Sequence, residues 1–458
     1  MISHRSTRDS SIGAAKALAV YAFAASMLLA SAGAHALGLL EAYRAALQND
    51  PTYKMAIHDN EAGQEYRIQG RANLLPSLSA SYYTGKNRTT ISAGDFYGNP
   101  FTTHQTYSSI SSDISLRQPL VNFDALARYR LGEVQTAFSN AQFSSQKQEL
   151  VTRVVGAYLD ALYADDQVRL ATAQRDMYVE QRQVNDTMFQ KGEGTRTDMI
   201  ETQARLDASA AQLLEAQDQQ LTARQTLAGL VGREVRSLDG LPADFRAPIL
   251  ISGSYEEWEQ RALAGNPDLL AQKQQVEGAR QQINLNRAGH APRLELVSSI
   301  SKNRSETINV IGQESVIRAI GLQLTVPLYS GGAISSNTRQ AVANYEKAQS
   351  DLDARTEKLL IELRKQYNQV QTGKAKIAAQ EKSLASARLL VEATTQSIKG
   401  GVRINLDLLT AVQQLYTAQR DLAQARYTYL LSTLRLRSAG GVLSERDVQE
   451  VAGYFSAR

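Results

Sequence analysis

The sequence predicts a mixed α and β membrane protein in which one unit is used twice, each copy a β-hairpin followed by very long coiled-coil helices. Three observations predict it. The few prolines fall into two matching sets. Each half holds two short segments of alternating polarity. After each pair of segments, about seventy residues run without a proline.

The N-terminal residues come first. Arg5, Arg8 and Lys16 precede an apolar run from Ala17 to Ala30, and Ala34-His35-Ala36 supplies a small-x-small exit. These are the three parts of a secretory signal peptide, so residues 1–36 are expected to be removed and the chain exported. An anchor helix is the competing reading, but the run is shorter than the roughly 20 residues a span needs. The remainder carries a net charge of only +2 and no polybasic face, so no nucleic-acid partner is expected. No later stretch is apolar for long enough to form a membrane helix, so entry into a membrane would have to be as a β-barrel.

Composition excludes most chemistry. With no cysteine there is no disulfide, no thiolate metal cage and no lipid-bearing cysteine after the leader. Outside the leader, His58, His104 and His290 are far apart and lack metal-ligand spacing. No phosphate-cradling glycine loop occurs. The expectation is neither enzyme nor cofactor nor metal. Carboxylates are plentiful, but at helical spacing they read as solvated faces.

The prolines outline the duplication. Pro51 and Pro76 are 25 residues apart, as are Pro267 and Pro292; at the offset of 216 that relates the two pairs, Glu41 matches Glu257, Leu47 matches Leu263, and Arg71-Ala72 matches Arg287-Ala288. Leu116-Arg-Gln-Pro119-Leu120 answers Leu324-Thr-Val-Pro327-Leu328. The reading is a first repeat at 37–236, a linker at 237–253 holding Pro242 and Pro248, a second repeat at 254–441, and a C-terminal segment at 442–458. The first copy holds eight more residues between its prolines, centred on a turn-rich stretch, Gly94 to Pro100, that reads as a surface loop.

Each copy opens with a helical stretch, 40–72 or 255–288, interrupted at Asn-Asp-Pro51 or Gly-Asn-Pro267. Alternating segments follow. Leu78, Ala80 and Tyr82, then Ile110, Ile114 and Leu116, interleave with serines in the first copy. Leu294, Leu296 and Ile300, then Val316, Ile320, Leu322 and Leu324, alternate in the second. Each run approaches the ~9–11 residues of a tilted membrane strand, although a small soluble hairpin has the same pattern. The proline-free stretches run to Gly192 and Gly401, and a helix of ~70 residues is about 105 Å long. In the second copy Leu363, Val370, Ile377, Leu384 and Val391 repeat every seven residues. Past the glycine turn, so do Leu408, Leu415, Leu422, Tyr429 and Leu436. Two such seams about a tight turn read as an antiparallel coiled coil. The first copy's seam is alanine-rich and implies close helix approach. The outgoing helix 198–231 and the opening helix 40–72, laid end to end, equal one long helix.

Two hairpins supply four strands, which cannot close a barrel, and open edges in lipid cost several kcal/mol per unsatisfied backbone group. Three chains give twelve strands around a lumen, although two would also allow closure. A homotrimer is therefore expected.

With these features in order, the chain resembles the TolC family of outer-membrane exit ducts over essentially its whole mature length. Leu75-Pro76-Ser77-Leu78, Val326-Pro327-Leu328-Tyr329-Ser330-Gly331-Gly332 and an aspartate six residues beyond each tip glycine, Asp198 and Asp407, carry the resemblance. It implies a homotrimer whose 12-strand β-barrel in the outer membrane continues as a 12-helix periplasmic α-barrel. That duct would be engaged by a periplasmic adaptor and an inner-membrane pump. Gly192-Glu-Gly194-Thr-Arg-Thr-Asp198 looks like the branch serving ABC transporters in type I protein secretion; drug or small-molecule efflux is the alternative. A soluble periplasmic adaptor is less favoured, since it would have one hairpin arm and additional β domains. By position, Asp198 and Arg403 are implied to form a tip-to-tip ion pair of the closed gate, and Asp407 a ring of carboxylates narrowing the pore. From spacing alone, the first pair is equally a solvated surface contact worth ~0–1 kcal/mol. The second gate aspartate of the family is Thr410 here, which predicts weaker cation selectivity. Gly192, Gly194, Thr195, Gly400 and Gly401 form the exposed tips, the expected adaptor-docking surface, and the glycines are expected to end their helices in left-handed conformation.

Overall fold

The computed structural model describes residues 36–242, 245–248, 253–307, 310–400 and 402–456, the side chains of 305–312 excepted. The leader lies outside these residues except for Ala36, and so does Gly401.

One order of elements occurs twice. The first half runs α1 (Leu39–Asn49), α2 (Pro51–Ala72), β1 (Ser77–Gly94), β2 (Pro100–Val121), α3 (Phe123–Gln190) and α4 (Arg196–Val231). The second runs α5 (Tyr255–Gly265), α6 (Pro267–Arg287), β3 (Arg293–Thr307), β4 (Val310–Thr325), α7 (Ala333–Lys399) and α8 (Asn405–Ala439), and a short α9 (Glu445–Ala452) follows. The prolines break the opening helices as their chemistry demands. Pro51 and Pro267 each occupy a first helical position, where a missing N–H costs nothing, and the residue before each is the cap. The Asp50 carboxylate accepts from the Thr52 and Tyr53 amides, and Asn266 Oδ1 from those of Asp268 and Leu269.

The helices α3 and α7, of 68 and 67 residues, are each about 100 Å long. Side by side, the order is α2 and α4, then α3, then α6 and α8, then α7. The short helices stack end to end as the lengths require, and an asparagine amide ties each joint. Asn49 Nδ2 donates to the Val231 carbonyl (2.9 Å), and Asn266 Nδ2 to that of Ala439 (3.0 Å). Gly441 closes the second joint with φ +72°, pressed so tightly against the Gly265 carbonyl that no side chain could be added.

The heptad seam of the second half is buried at Leu363, Val370 and Ile377 on α7 and at Leu408, Leu422, Tyr429 and Leu436 on α8, with Leu384, Val391 and Leu415 half-buried. In the first half the close approach is made by glycine rather than alanine alone. Gly63 and Gly70 on α2 face Ser139 and the Arg128–Tyr129 backbone of α3, and Gly132 faces the Tyr66 backbone. The densest core lies midway up the wall. There Leu150, Val154, Val155, Tyr158, Leu159 and Leu162 of α3 meet α1, the end of α4, the linker and α9. The Tyr158 hydroxyl donates toward the Leu37 and Asp239 carbonyls (2.9 and 2.8 Å), fixing the segment ahead of α1 and the linker to the long helix.

The four strands form one antiparallel sheet in the order β1-β2-β3-β4. They are 18, 22, 15 and 16 residues long, well beyond the expected membrane-spanning length. The extra residues of the first copy lengthen this ribbon instead of forming a loop, since only Asp95–Asn99 make the turn. Beyond Thr84 and Ile110 most residues on both faces are polar, and the few apolar ones, Ile91 and Phe101 among them, make no sustained alternation, so hydropathy could not reveal that pairing continued. Register places Leu78, Leu116, Ser298 and Ile320 in one row, and Ala80, Ile114, Ile300 and Arg318 in the next. This face is convex and exposed: Leu78, Ile320, Leu322 and Leu324 each expose more than 60 % of their surface. The opposite face, more shielded by the sheet's curvature, is rich in serine, with Ser79, Ser115 and Ser299 in one row. Among the described residues no helix is long and apolar enough to cross a membrane.

Candidate functional site

The tips of the two helix hairpins form the candidate site. Helix α3 ends at Gln190, and Gly192 takes φ +77°, which lets the Glu193 amide turn back to the Met188 carbonyl (2.9 Å). Gly194 is not left-handed. It is small because a Cβ would lie 3.1 Å from Met188 Cβ and from the Phe189 nitrogen. Gly400 likewise has a negative φ, −85°. The expectation of left-handed glycines therefore holds at Gly192 and is corrected at Gly194 and Gly400: close approach at the former and an ordinary helical terminus at the latter explain these residues.

Thr195 caps α4 in a reciprocal box. Its Oγ1 accepts from the Asp198 amide (3.1 Å), while Asp198 Oδ2 accepts from the Thr195 amide (3.2 Å) and hydroxyl (2.6 Å). Within one chain Asp198 thus serves its own tip and is not brought to Arg403. Arg403 instead reaches Asp407, with Nη1 to Oδ2 at 3.7 Å and both side chains about half exposed. Helix α8 has no side-chain cap at Ile404, so Asp407 is free of the constraint that holds Asp198. Thr410 turns its hydroxyl onto the Leu406 carbonyl (2.9 Å), satisfied by its own helix. Apolar side chains surround both tips: Phe189, Ile200, Val402 and Ile404 are all exposed.

A polar cluster just above the tips was not anticipated from sequence. Buried Thr202 on α4 donates to the Asp198 carbonyl (2.8 Å) and accepts from Asn185 of α3 (2.7 Å) and Asn405 of α8 (3.0 Å), and Gln181 bonds Asn405 and Asn185 in turn. One hydroxyl therefore joins the two hairpins. Above it, Tyr178, Leu408, Leu409 and Val412 form an apolar plug, and burial raises the pKa of neighbouring Tyr416. The signal that could have revealed the cluster is positional. Thr202 and Ser209 occupy seam positions on either side of Leu206, where a solvated face would not continue. Thr202→Val keeps shape but strands the buried Asn405 amide and leaves the Asn185 amide only its 3.4 Å bond to the Asp198 carbonyl, a cost of about 1–3 kcal/mol. The tips should then be cut faster by trypsin at Lys191, Arg196 and Arg403. Wild-type cleavage rates would remove Thr202 from this role.

A sheet apolar on its exposed face and serine-rich on the other, carried on a helical wall of about 100 Å, fits one class of protein, the outer-membrane exit ducts, which are not enzymes. The chain belongs to the outer membrane efflux protein family, which matches residues 42–233 and 258–442. It is 44 % identical over 440 residues to the alkaline protease secretion protein AprF of Pseudomonas aeruginosa, covering 96 % of this chain and 91 % of that one. It is 37 % identical over 436 residues to the proteases secretion protein PrtF of Dickeya chrysanthemi, covering 94 % and 93 %. The solved structure of the Campylobacter jejuni CmeC outer membrane channel shares the fold, with a TM-score of 0.77 at 18 % identity, covering 91 % of this chain and 90 % of that one.

Proposed function

We propose that the chain forms the outer-membrane duct of a type I protein secretion system, working with a periplasmic adaptor and an inner-membrane ABC transporter. The observation that carries this reading is near full-length similarity to two proteins named for protease secretion. Deleting the gene should abolish the appearance of a secreted protein in the medium. Loss of drug tolerance with secretion intact would move the assignment to small-molecule efflux.

The working form is a homotrimer. β1 and β4 are edges of a four-stranded sheet, and three chains bring twelve strands, enough to pair every edge. The flanking helices favour the same assembly: Tyr66 and Ile68 on α2, Leu214 and Leu221 on α4, and Ile361 and Leu389 on α7 are exposed apolar residues on the two outer sides of the wall. The trimer then presents a 12-strand barrel to outer-membrane lipid and a 12-helix barrel to the periplasm. The halves 37–236 and 254–441, joined by 237–253, are read as copies of one unit; the repeated order of elements and the two asparagine joints support this.

At the closed entrance, Asp198 of one tip and Arg403 of another form the gate's ion pair, and Asp407 lines the narrowest ring. Gly192, Gly194, Thr195, Gly400 and Gly401, with the apolar residues around them, receive the adaptor. Arg403→Ser should raise single-channel conductance in planar bilayers, and unchanged conductance would exclude the arginine lock.

A further inference from the structure

The convex face of the sheet carries a second pattern above its apolar band. Toward the hairpin end it turns basic: Arg318 on β4 shares a row with Ile114 and Ile300, and beyond that row come Lys302 and Arg304 on β3 and Lys86 and Arg88 on β1, all exposed. On β2 the hydroxyl residues Ser108 and Thr106 stand opposite Lys86 and Arg88. Among the described residues the only carboxylate on this face is Glu314, which lies opposite Arg304 and bonds Lys302 at 2.7 Å. Among the described side chains, five cations against one carboxylate leave this face with a positive excess.

The excess is one-sided. At the same level the concave face carries no cation among the described residues: Asp113 lies on it, with Asn87, Ser109, Ser111 and Asn303. Cations placed to attract a passing cargo would line the concave side. These lie instead on the side that continues the apolar band, at the end of the sheet away from the helices. With the helices in the periplasm, that level is the outer leaflet. A cation at the edge of a bilayer is tolerated far better than one at its midplane, and it gains from anionic headgroups there.

We propose that this basic collar binds the phosphate groups of an anionic glycolipid in the outer leaflet. The cations take the phosphates, and the adjacent threonine and serine hydroxyls take sugar or phosphate oxygens. Guanidinium groups at Arg88, Arg304 and Arg318 suit a phosphate through paired N–H donors. The assignment rests on the reading of the sheet as membrane-spanning, and the test separates the two.

The full chain is reconstituted in phosphatidylcholine vesicles containing bisphosphorylated lipid A or its dephosphorylated form, and lipid A retained per chain is measured. Wild type should retain the phosphorylated form about tenfold better. Replacing all five cations by glutamine should remove that preference, whereas Lys→Arg and Arg→Lys exchanges at the same positions should keep it. Should the fivefold variant fail to insert, Lys302→Gln with Arg304→Gln is read in its place, with a partial loss expected. Equal retention of the two lipids by wild type would overturn the proposal. So would full displacement by inorganic phosphate, which would mark a site for a free anion. Unchanged single-channel conductance of the variants shows that the duct itself is intact, so a negative lipid result falls on the collar alone.

Discussion

Replacing Gly132 by valine is expected to prevent the protein from accumulating as a heat-modifiable oligomer in the outer-membrane fraction. A Cβ at this position would sit inside van der Waals contact with the Tyr66 carbonyl oxygen, 3.1 Å from the carbonyl carbon and 3.3 Å from Gly70 Cα. All three are backbone atoms, so no rotamer change relieves the clash, and the two helices must separate. Overpacking typically costs about 1–3 kcal/mol and more where the backbone must move. Separation would also disturb the neighbouring contacts, including the Thr136 hydroxyl bond to the Gly63 carbonyl (2.9 Å). Because α2 feeds β1 through only Asn73–Pro76, a displaced α2 would carry the strand with it. Gly132→Ala should show a milder form of the same defect. Wild-type yield and melting for the valine variant would mean that α2 and α3 are not in backbone contact.

The second large effect is expected at Asp407. In a trimer, three copies facing a narrow lumen would favour cations, and Thr410, bonded to its own helix, adds no second ring. Asp407→Ala should therefore abolish the cation preference. It should go further, because the same change leaves Arg403 without the carboxylate it now meets at 3.7 Å. The single variant is expected to become anion-preferring, and the double variant Arg403→Ser with Asp407→Ala nearly non-selective. Reversal potentials across a potassium chloride gradient measure both, and an unaltered wild-type value in the single variant would take Asp407 out of the pore lining.

The helical wall was legible because its signals are local and periodic. A seven-residue leucine and valine repeat has one buried solution, and Leu363, Val370 and Ile377 adopt it. Proline chemistry marked the breaks at 51 and 267 equally well. The reach of the strands was not legible, because a ribbon polar on both faces alternates between two sets of similar hydropathy, as at Arg88 and Asn87. Nor were the glycine contacts of α2 and α3, since Gly63 and Gly132 are far apart in sequence and neither carries a pattern. At the tips, the glycine and aspartate spacing pointed to the right place. It could not show that Asp198 is engaged by its own Thr195, nor that Asn185, Thr202 and Asn405 meet, because amides and hydroxyls on a helix look like a wetted surface until a neighbour covers them.

The asparagine joints have a mechanical meaning. Two of the four columns in this wall are spliced, at Asn49–Val231 and Asn266–Ala439, while α3 and α7 run through unbroken as splints. A load that bends the wall is then carried across the splices by the continuous rods and by the dense packing around Leu150–Leu162, leaving the tip segments to act as levers pivoting about that waist.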